Sequence, residues 1–343
     1  MQPTHNAEDT GTPPLLPAPR RRYHLLSRSV SFRTSMAHTV QCDCDKSLGS
    51  LVRNIKFWQS NPKPTCHLLA PWVAACLPRQ AEVIYNNLQT TCLDTAEHRE
   101  NSVQIDLDLG RTYPDESYFY ETGAGREALR RVLMAVSKYD PRLGYVQGMN
   151  FITAALLWHA TEVDSFWLLV HLLEDYDMRD NYLPRLPGLS KHCQIVNLLL
   201  IERLPQLHLL FCQHRIACEL FITDWCFTMF GSLAPVQDMG ALLAGFFKEG
   251  WAFFYKVVLV ILGRLQITLL GTSDVSEILV ALRPPSRSQR HWREFMNCLK
   301  RRGETLNWLR LFKEAGEVRL DEEFIRKLHF GFSLDTSQFG RLR

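Results

Sequence analysis

An arginine and a glutamine are side-chain types that could do chemistry on a phosphate. Arg111 stands in Ile105-x-x-Asp108-x-x-Arg111-Thr112-x-Pro114, and Gln147 stands thirty-six positions later in Tyr145-x-Gln147-Gly148-Met149-Asn150. A guanidinium is planar, permanently charged and able to donate two bonds at once to phosphate oxygens. A carboxamide can accept from a water through its carbonyl while its NH₂ donates to a neighbouring oxygen. Taken singly, an arginine is usually a salt-bridged or solvated surface residue and a glutamine a solvated one. The two local patterns set this pair apart.

Their neighbours read as supports. Asp108 lies one helical turn, or one extended loop, before Arg111, where it can orient the guanidinium or tie down the backbone; a purely structural aspartate is the alternative. Tyr145 and Asn150 are expected to hold the Gln147 loop by packing and hydrogen bonds. Gly144 and Gly148 flank the motif and permit tight turns.

Other constellations lead nowhere. There is no Gly-x-Ser-x-Gly elbow, no Walker-type phosphate loop and no His-Glu-x-x-His pair. Gly123-Ala124-Gly125 is too short for a dinucleotide turn, so nothing indicates a nucleotide site on the chain itself. Cys42 and Cys44 lack the second pair that a zinc site needs. Asp175, Asp177 and Asp180 lack the glycine and closing glutamate of a calcium loop. His159 and Glu162 form a single His/Glu pair, and a di-iron site takes glutamates from further helices.

The bulk composition agrees with a globular protein. The 343 residues are 46% hydrophobic, with 39 basic and 36 acidic side chains and a net charge of +3. That small excess creates no broad field for nucleic acid. Ten cysteines in so long a chain are too sparse for a disulfide scaffold, which points to reduced thiols and a cytoplasmic setting. Met1 to Pro19 shows no apolar core behind a basic start, which reads against a secretory signal. Trp251 to Gly271 is the most membrane-like stretch. Lys256 and Arg264 interrupt it, and its uncharged run falls short of the roughly 18 residues a span needs. It reads as a helix buried in protein, as does Phe151 to Val170, broken by Glu162 and Asp164.

The elements that must position Arg111 and Gln147 follow from hydrophobic periodicity. Residues 1–47 carry Pro-rich turn signals and then Arg20, Arg21 and Arg22 ahead of Ser27, Ser29 and Ser31. They read as a solvated, disordered tail. The alternative is a phosphorylation-controlled segment that touches anionic lipid or a partner. From residue 48 onward the pattern is helical. Leu129, Val132, Leu133 and Val136 mark one buried face. Val196, Leu199 and Leu200 repeat part of it, and Trp292, Phe295, Met296 and Leu299 the whole. Phe324 and Leu328 suggest a last short helix. The apolar runs beginning at Phe166 and Val257 are expected to be buried helices. Pro184 and Pro187 mark a loop taken as a subdomain boundary, and Pro284-Pro285 marks another loop. One stretch departs from this: Ile105-Asp-Leu-Asp-Leu109 alternates with strand periodicity, and the pattern alone predicts a strand or extended loop.

Together the Arg111 and Gln147 motifs resemble the TBC domain, the family of GTPase-activating proteins for Rab GTPases. Asp224-Trp225, Phe230, Asp238 and the run from Phe246 to Lys256 resemble the C-terminal half of that family, so the likeness covers roughly residues 48–300. One departure is visible. Members open with an arginine shortly before a tryptophan, whereas Trp72 here follows Leu68-Leu69-Ala70-Pro71. The resemblance implies an all-α, TBC-type fold of two packed helical subdomains, over about 48–185 and 186–343, and so a helix where the alternation at Ile105 suggests a strand. It implies that Arg111 and Gln147 are a catalytic pair supplied in trans to a Rab-family small GTPase. Asp108, Tyr145, Gly148 and Asn150 would support them. GTP and Mg²⁺ would arrive with the partner, with no metal or organic cofactor on this chain. Peripheral association with endomembranes would come through the partner or the basic tail. The competing expectation is a catalytically silent Rab-binding or scaffold module.

Overall fold

A computed structural model describes residues 65–283, 295–297, 299, 307–321, 325 and 328. The tail over 1–47 with Cys42 and Cys44, the Pro284-Pro285 loop, Trp292 and Phe324 lie outside the described residues. Among the described residues all regular secondary structure is helical.

The N-terminal helices are α1 (Ala70–Cys76), α2 (Ala81–Thr90), α3 (Ala96–Leu109), α4 (Ala124–Tyr139), α5 (Met149–His159) and α6 (Glu162–Asp175). Helix α4 is the keystone. Leu129, Val132, Leu133 and Val136 are each buried to 1% exposure or less, as the 3.6-residue period predicts. This face lets α4 pack against α3, α5, α6 and α2. Helix α5 is buried almost all round, with Ile152, Ala154, Ala155 and Leu156 fully enclosed. The Phe166–Val170 run lies in α6 and is buried throughout. Trp72, which no arginine precedes at close range, lies in α1, where Pro71 occupies the first turn and costs no helical donor.

The stretch that alternates like a strand is helical. Ile105 to Leu109 forms the last turn of α3, which is capped at its start by Thr95, whose side chain accepts from the His98 N–H at 3.2 Å. Ile105 and Leu109 face inward and Leu107 faces solvent. The alternation arises from an apolar residue on the outer face, which a single-period reading cannot separate from a strand.

The C-terminal helices are α7 (Pro187–Arg203), α8 (Pro205–Gln213), α9 (Glu219–Thr228), α10 (Met239–Glu249), α11 (Trp251–Leu270), α12 (Val275–Leu282) and α13 (Trp308–Glu317). Pro187 opens α7 at its first turn, and Val196, Leu199 and Leu200 are buried along it. Helix α11 is long and apolar enough to cross a membrane by length and composition. Here it packs against α10 and α13. Its two charges are paired within the fold: Lys256 Nζ reaches Glu249 Oε2 at 2.7 Å, and Arg264 reaches Glu314 Oε2 at 2.5 Å and the Leu299 carbonyl at 2.6 Å.

Candidate functional site

Arg111 follows the C-terminal end of α3. The helix winds down through two tight bonds, from Arg111 N–H to the Asp108 carbonyl (3.2 Å) and from Thr112 N–H to the Leu109 carbonyl (3.4 Å). Tyr113 then takes a positive φ of 44°, which is rare for a bulky residue and marks a backbone held by its surroundings. The hold is its ring, fully buried between Phe119 and Phe151 of α5, the latter edge-on at 5.5 Å. The loop is therefore nailed down two residues after the arginine. The Arg111 side chain itself remains 51% exposed and pairs with Asp108, whose carboxylate is only 3% exposed. An arginine has five N–H donors in a fork, so one paired edge leaves others directed outward.

Gln147 lies in the turn between α4 and α5. Gly144 (φ 64°) reverses the chain, with its N–H on the Asp140 carbonyl at 2.9 Å. Asp140 is held in turn by Arg179 at 2.6 Å. The Tyr145 N–H donates to Asn101 Oδ1 of α3 at 3.0 Å. Gly148 has φ 111°, and a Cβ there would sit 2.8 Å from the Phe227 carbonyl oxygen. Only glycine fits this position, for both backbone angle and space. Between these two glycines Gln147 is exposed while Tyr145, Gly148, Met149 and Asn150 are buried.

Two buried links join the loops. In the first, the Tyr145 hydroxyl donates to Asp108 Oδ2 at 2.5 Å while Arg111 pairs with Oδ1. In the second, the Asn150 side-chain amide donates to the Thr112 hydroxyl at 2.7 Å, and Asn150 Oδ1 accepts from the Gly148 N–H at 3.0 Å. The Thr112 hydroxyl in turn donates a hydrogen bond to the Asp108 carbonyl at 2.7 Å. Burial raises the ionisation of the Tyr145 phenol well above its ordinary range, and the hydrogen bond to the Asp108 carboxylate raises it further. The hydroxyl thus remains a donor. Asp108, Thr112 and Asn150 are at most 2% exposed, so each bond forms where water cannot substitute for it.

The structure therefore brings all six sequence-predicted residues into one place. Arg111 and Gln147 are exposed, and Asp108, Tyr145, Gly148 and Asn150 form the buried bracing beneath them. Thr112, Tyr113 and Asn101 belong to the same bracing and were not singled out by residue type. Thr112 carried a signal, since it follows the arginine directly in the motif; Asn101 carried none, because its role depends on how α3 lies along the Gln147 turn.

Others of the singled-out side chains that the structure describes make contacts within the fold. Asp175 pairs with His171. Glu162 accepts both arms of Arg131, at 2.8 and 2.7 Å, and the Tyr85 hydroxyl at 2.6 Å. His159 is buried against the Val236 carbonyl and accepts from the Gly240 N–H, each at 3.0 Å. Among the described residues no group of three or more His, Cys, Asp or Glu side chains could hold a metal ion.

The likeness to known proteins extends over both loops. The family model of the Rab-GTPase-TBC domain matches residues 72–270, which include both loops. The Drosophila melanogaster "Ecotropic viral integration site 5 ortholog" is 32% identical over 167 residues, covering 48% of this chain and 21% of its own length. The Caenorhabditis elegans "Rab GTPase-activating protein eat-17" is 27% identical over 232 residues, covering 65% and 26%. Human "TBC1 domain family member 2B" is 29% identical over 267 residues, covering 75% and 27%. The match thus spans 21–27% of the length of these relatives. Among solved structures, the Ypt/Rab-GAP domain of Gyp1p superposes with a TM-score of 0.52 at 19% identity, over 70% of this chain and 79% of that one, a likeness of fold. With its family model matched across more than half of its length, the chain belongs to the Rab-GTPase-TBC domain family.

Proposed function

We propose that this chain accelerates GTP hydrolysis by a Rab-family small GTPase, inserting Arg111 and Gln147 together into the partner's nucleotide pocket. The observation that carries the reading is the pairing of two exposed side chains on loops joined by a common buried network, Tyr145–Asp108 and Asn150–Thr112. The Caenorhabditis elegans relative is itself named a Rab GTPase-activating protein.

The chemistry follows from the two groups. As the bond to the leaving oxygen breaks, negative charge builds on that oxygen, and the transferred phosphoryl group spreads its own charge over its equatorial oxygens. The Arg111 guanidinium stabilises that charge from outside the GTPase, and fingers of this kind contribute on the order of 10³–10⁵ in rate, about 4–7 kcal/mol. The Gln147 carbonyl accepts from the attacking water and its NH₂ donates to the reacting group, fixing the line of attack. Asp108 holds one edge of Arg111 so that fewer of its conformations are lost on docking. GTP and Mg²⁺ are brought by the GTPase. Because the substrate is a membrane-associated switch, the chain acts from the cytoplasm on endomembranes and so controls trafficking.

The test is single-turnover phosphate release from a panel of GTP-loaded Rab proteins, with Arg111→Ala as control. Acceleration of at least one Rab that the alanine variant loses is the expected result. If no member is accelerated, the chain is a silent binding or scaffold module; if the alanine variant is as active as an accelerating parent, Arg111 is not the finger.

A further inference from the structure

Helix α3 carries two exposed apolar residues in line with Arg111. Val103 is 57% and Leu107 65% exposed, and they stand four residues apart, so they lie on one side of the helix. Four residues further, continuing that line, stands Arg111. The backbone keeps nearly helical angles through Gly110 (φ −68°, ψ −20°), and Arg111 N–H still bonds back to the Asp108 carbonyl. Val103, Leu107 and Arg111 therefore form a single stripe up the side of α3, with the cation at its end. The opposite side of the helix, with Ile105, Asp108 and Leu109, is fully occupied in packing.

Single exposed apolar residues are ordinary on protein surfaces. Two large ones aligned with an exposed arginine held by a buried carboxylate are a different matter. Arg111 can enter another protein's pocket only if the rim of that pocket is pressed against the end of α3, because an arginine side chain extends only a few ångströms beyond its helix. Whatever receives Arg111 must cover the turn that carries Leu107.

We infer that Val103 and Leu107 form the docking strip for the GTPase itself, receiving an apolar patch that borders its phosphate pocket. The inference rests on the proposed function for the identity of the occupant, and continuity with Arg111 fixes the location. Leu107 sits nearer the finger and carries the larger share, and Val103 extends the contact away from it. The strip sets affinity and choice of partner, and the fingers set rate.

The experiment uses the full chain, the Leu107→Ser variant and the Val103→Ser/Leu107→Ser double variant. Both positions are exposed, so circular dichroism and thermal midpoint should match the parent. Two readouts are taken against the Rab panel: binding to the GDP–aluminium fluoride state, and hydrolysis rate against activator concentration. The expected result is a loss of binding on the order of ten-fold for Leu107→Ser and more for the double variant, with kcat at saturation unchanged. Arg111→Ala should show the reverse split, with kcat lost. Weakened binding to a Rab whose hydrolysis even the parent does not accelerate would uphold the strip while overturning the finger reading. Unchanged binding by both serine variants overturns the strip and leaves the fingers standing. A parent that binds no Rab overturns both. A parent dimer in sedimentation that the double variant dissolves, with Rab binding intact, assigns the strip to a second copy of this chain and overturns the inference.

Discussion

The side-chain amide of Asn150 donates to the hydroxyl of Thr112 at 2.7 Å. That bond ties the residue after Arg111 to the first turn of the helix that follows Gln147. Since Asn150 Oδ1 also accepts from Gly148 N–H, one buried asparagine fixes both loops. Together with the Tyr145–Asp108 bond it makes the two exposed side chains parts of one rigid unit. Preorganisation of this kind matters because misplacing a reacting group by about 1 Å can cost on the order of 10²-fold in rate.

Replacing Thr112 by valine keeps the shape and removes the hydroxyl. Asn150 then loses an acceptor and the Asp108 carbonyl a donor, both in a buried setting. The expected stability loss is about 1–3 kcal/mol, measured by urea denaturation. The maximal rate of stimulated GTP hydrolysis should fall about ten-fold or more with Rab binding largely kept. Thr112→Ser restores both. Valine with parental rate and stability would mean the Asn150–Thr112 bond braces nothing.

Arg111→Lys and Gln147→Ala separate the two fingers. Lysine keeps the charge and loses the fork, so stimulation should drop by on the order of 10³ while the complex still forms. Alanine at Gln147 should lower the rate and spare the pull-down. Loss of binding in the Gln147 variant would make that residue a docking or folding element.

Gly148→Ala should be poorly tolerated although the added group is a single methyl. The backbone angle of 111° is hostile to any Cβ, and that atom would approach the Phe227 carbonyl oxygen to 2.8 Å and the Phe227 Cβ to 2.9 Å. A cost of about 1–3 kcal/mol is expected from the angle alone. Differential scanning calorimetry should show a lowered midpoint, and stimulated hydrolysis should fall with it as the Gln147 turn is displaced. Gly110, where a Cβ would meet nothing within 4 Å and φ is negative, serves as the tolerant control.

Alkaline stability should report the Tyr145 phenol. Its ionisation is raised in the folded state by burial and by the Asp108 carboxylate, so the native chain holds that proton more tightly than the unfolded one. The contribution is complete below the unfolded value of about 10 and is lost as pH climbs beyond it toward the higher folded value. Tyr85, Tyr182 and Tyr255 are raised in the same direction, chiefly by burial, and add to the slope. Urea midpoints between neutral pH and strong alkali should decline above about pH 10, more gently in Tyr145→Phe. An identical decline in both proteins would show that this phenol titrates alike folded and unfolded.

The sequence by itself determined the helical class, the buried faces and the identity of the exposed pair. Helical periodicity is local, so Leu129, Val132, Leu133 and Val136 announced their shared face without reference to anything distant, whereas the apolar runs at Phe166 and Val257, which taken alone fit a buried strand as well, read as helices only from their helical surroundings. Arg111 and Gln147 were legible because each sits in a short contiguous motif. The alternation from Ile105 to Leu109 misled for an instructive reason: Leu107 is apolar and exposed, and local pattern assigns every apolar residue to the inside. Only the tertiary structure decided that Asp108 meets Tyr145, that Asn150 meets Thr112, and that Asn101 holds the Tyr145 backbone. These bonds cross 37 to 44 positions of chain. They exist because α4 and α5 pack beside α3, a relationship set by side-chain shape over the whole core and by no single segment of it.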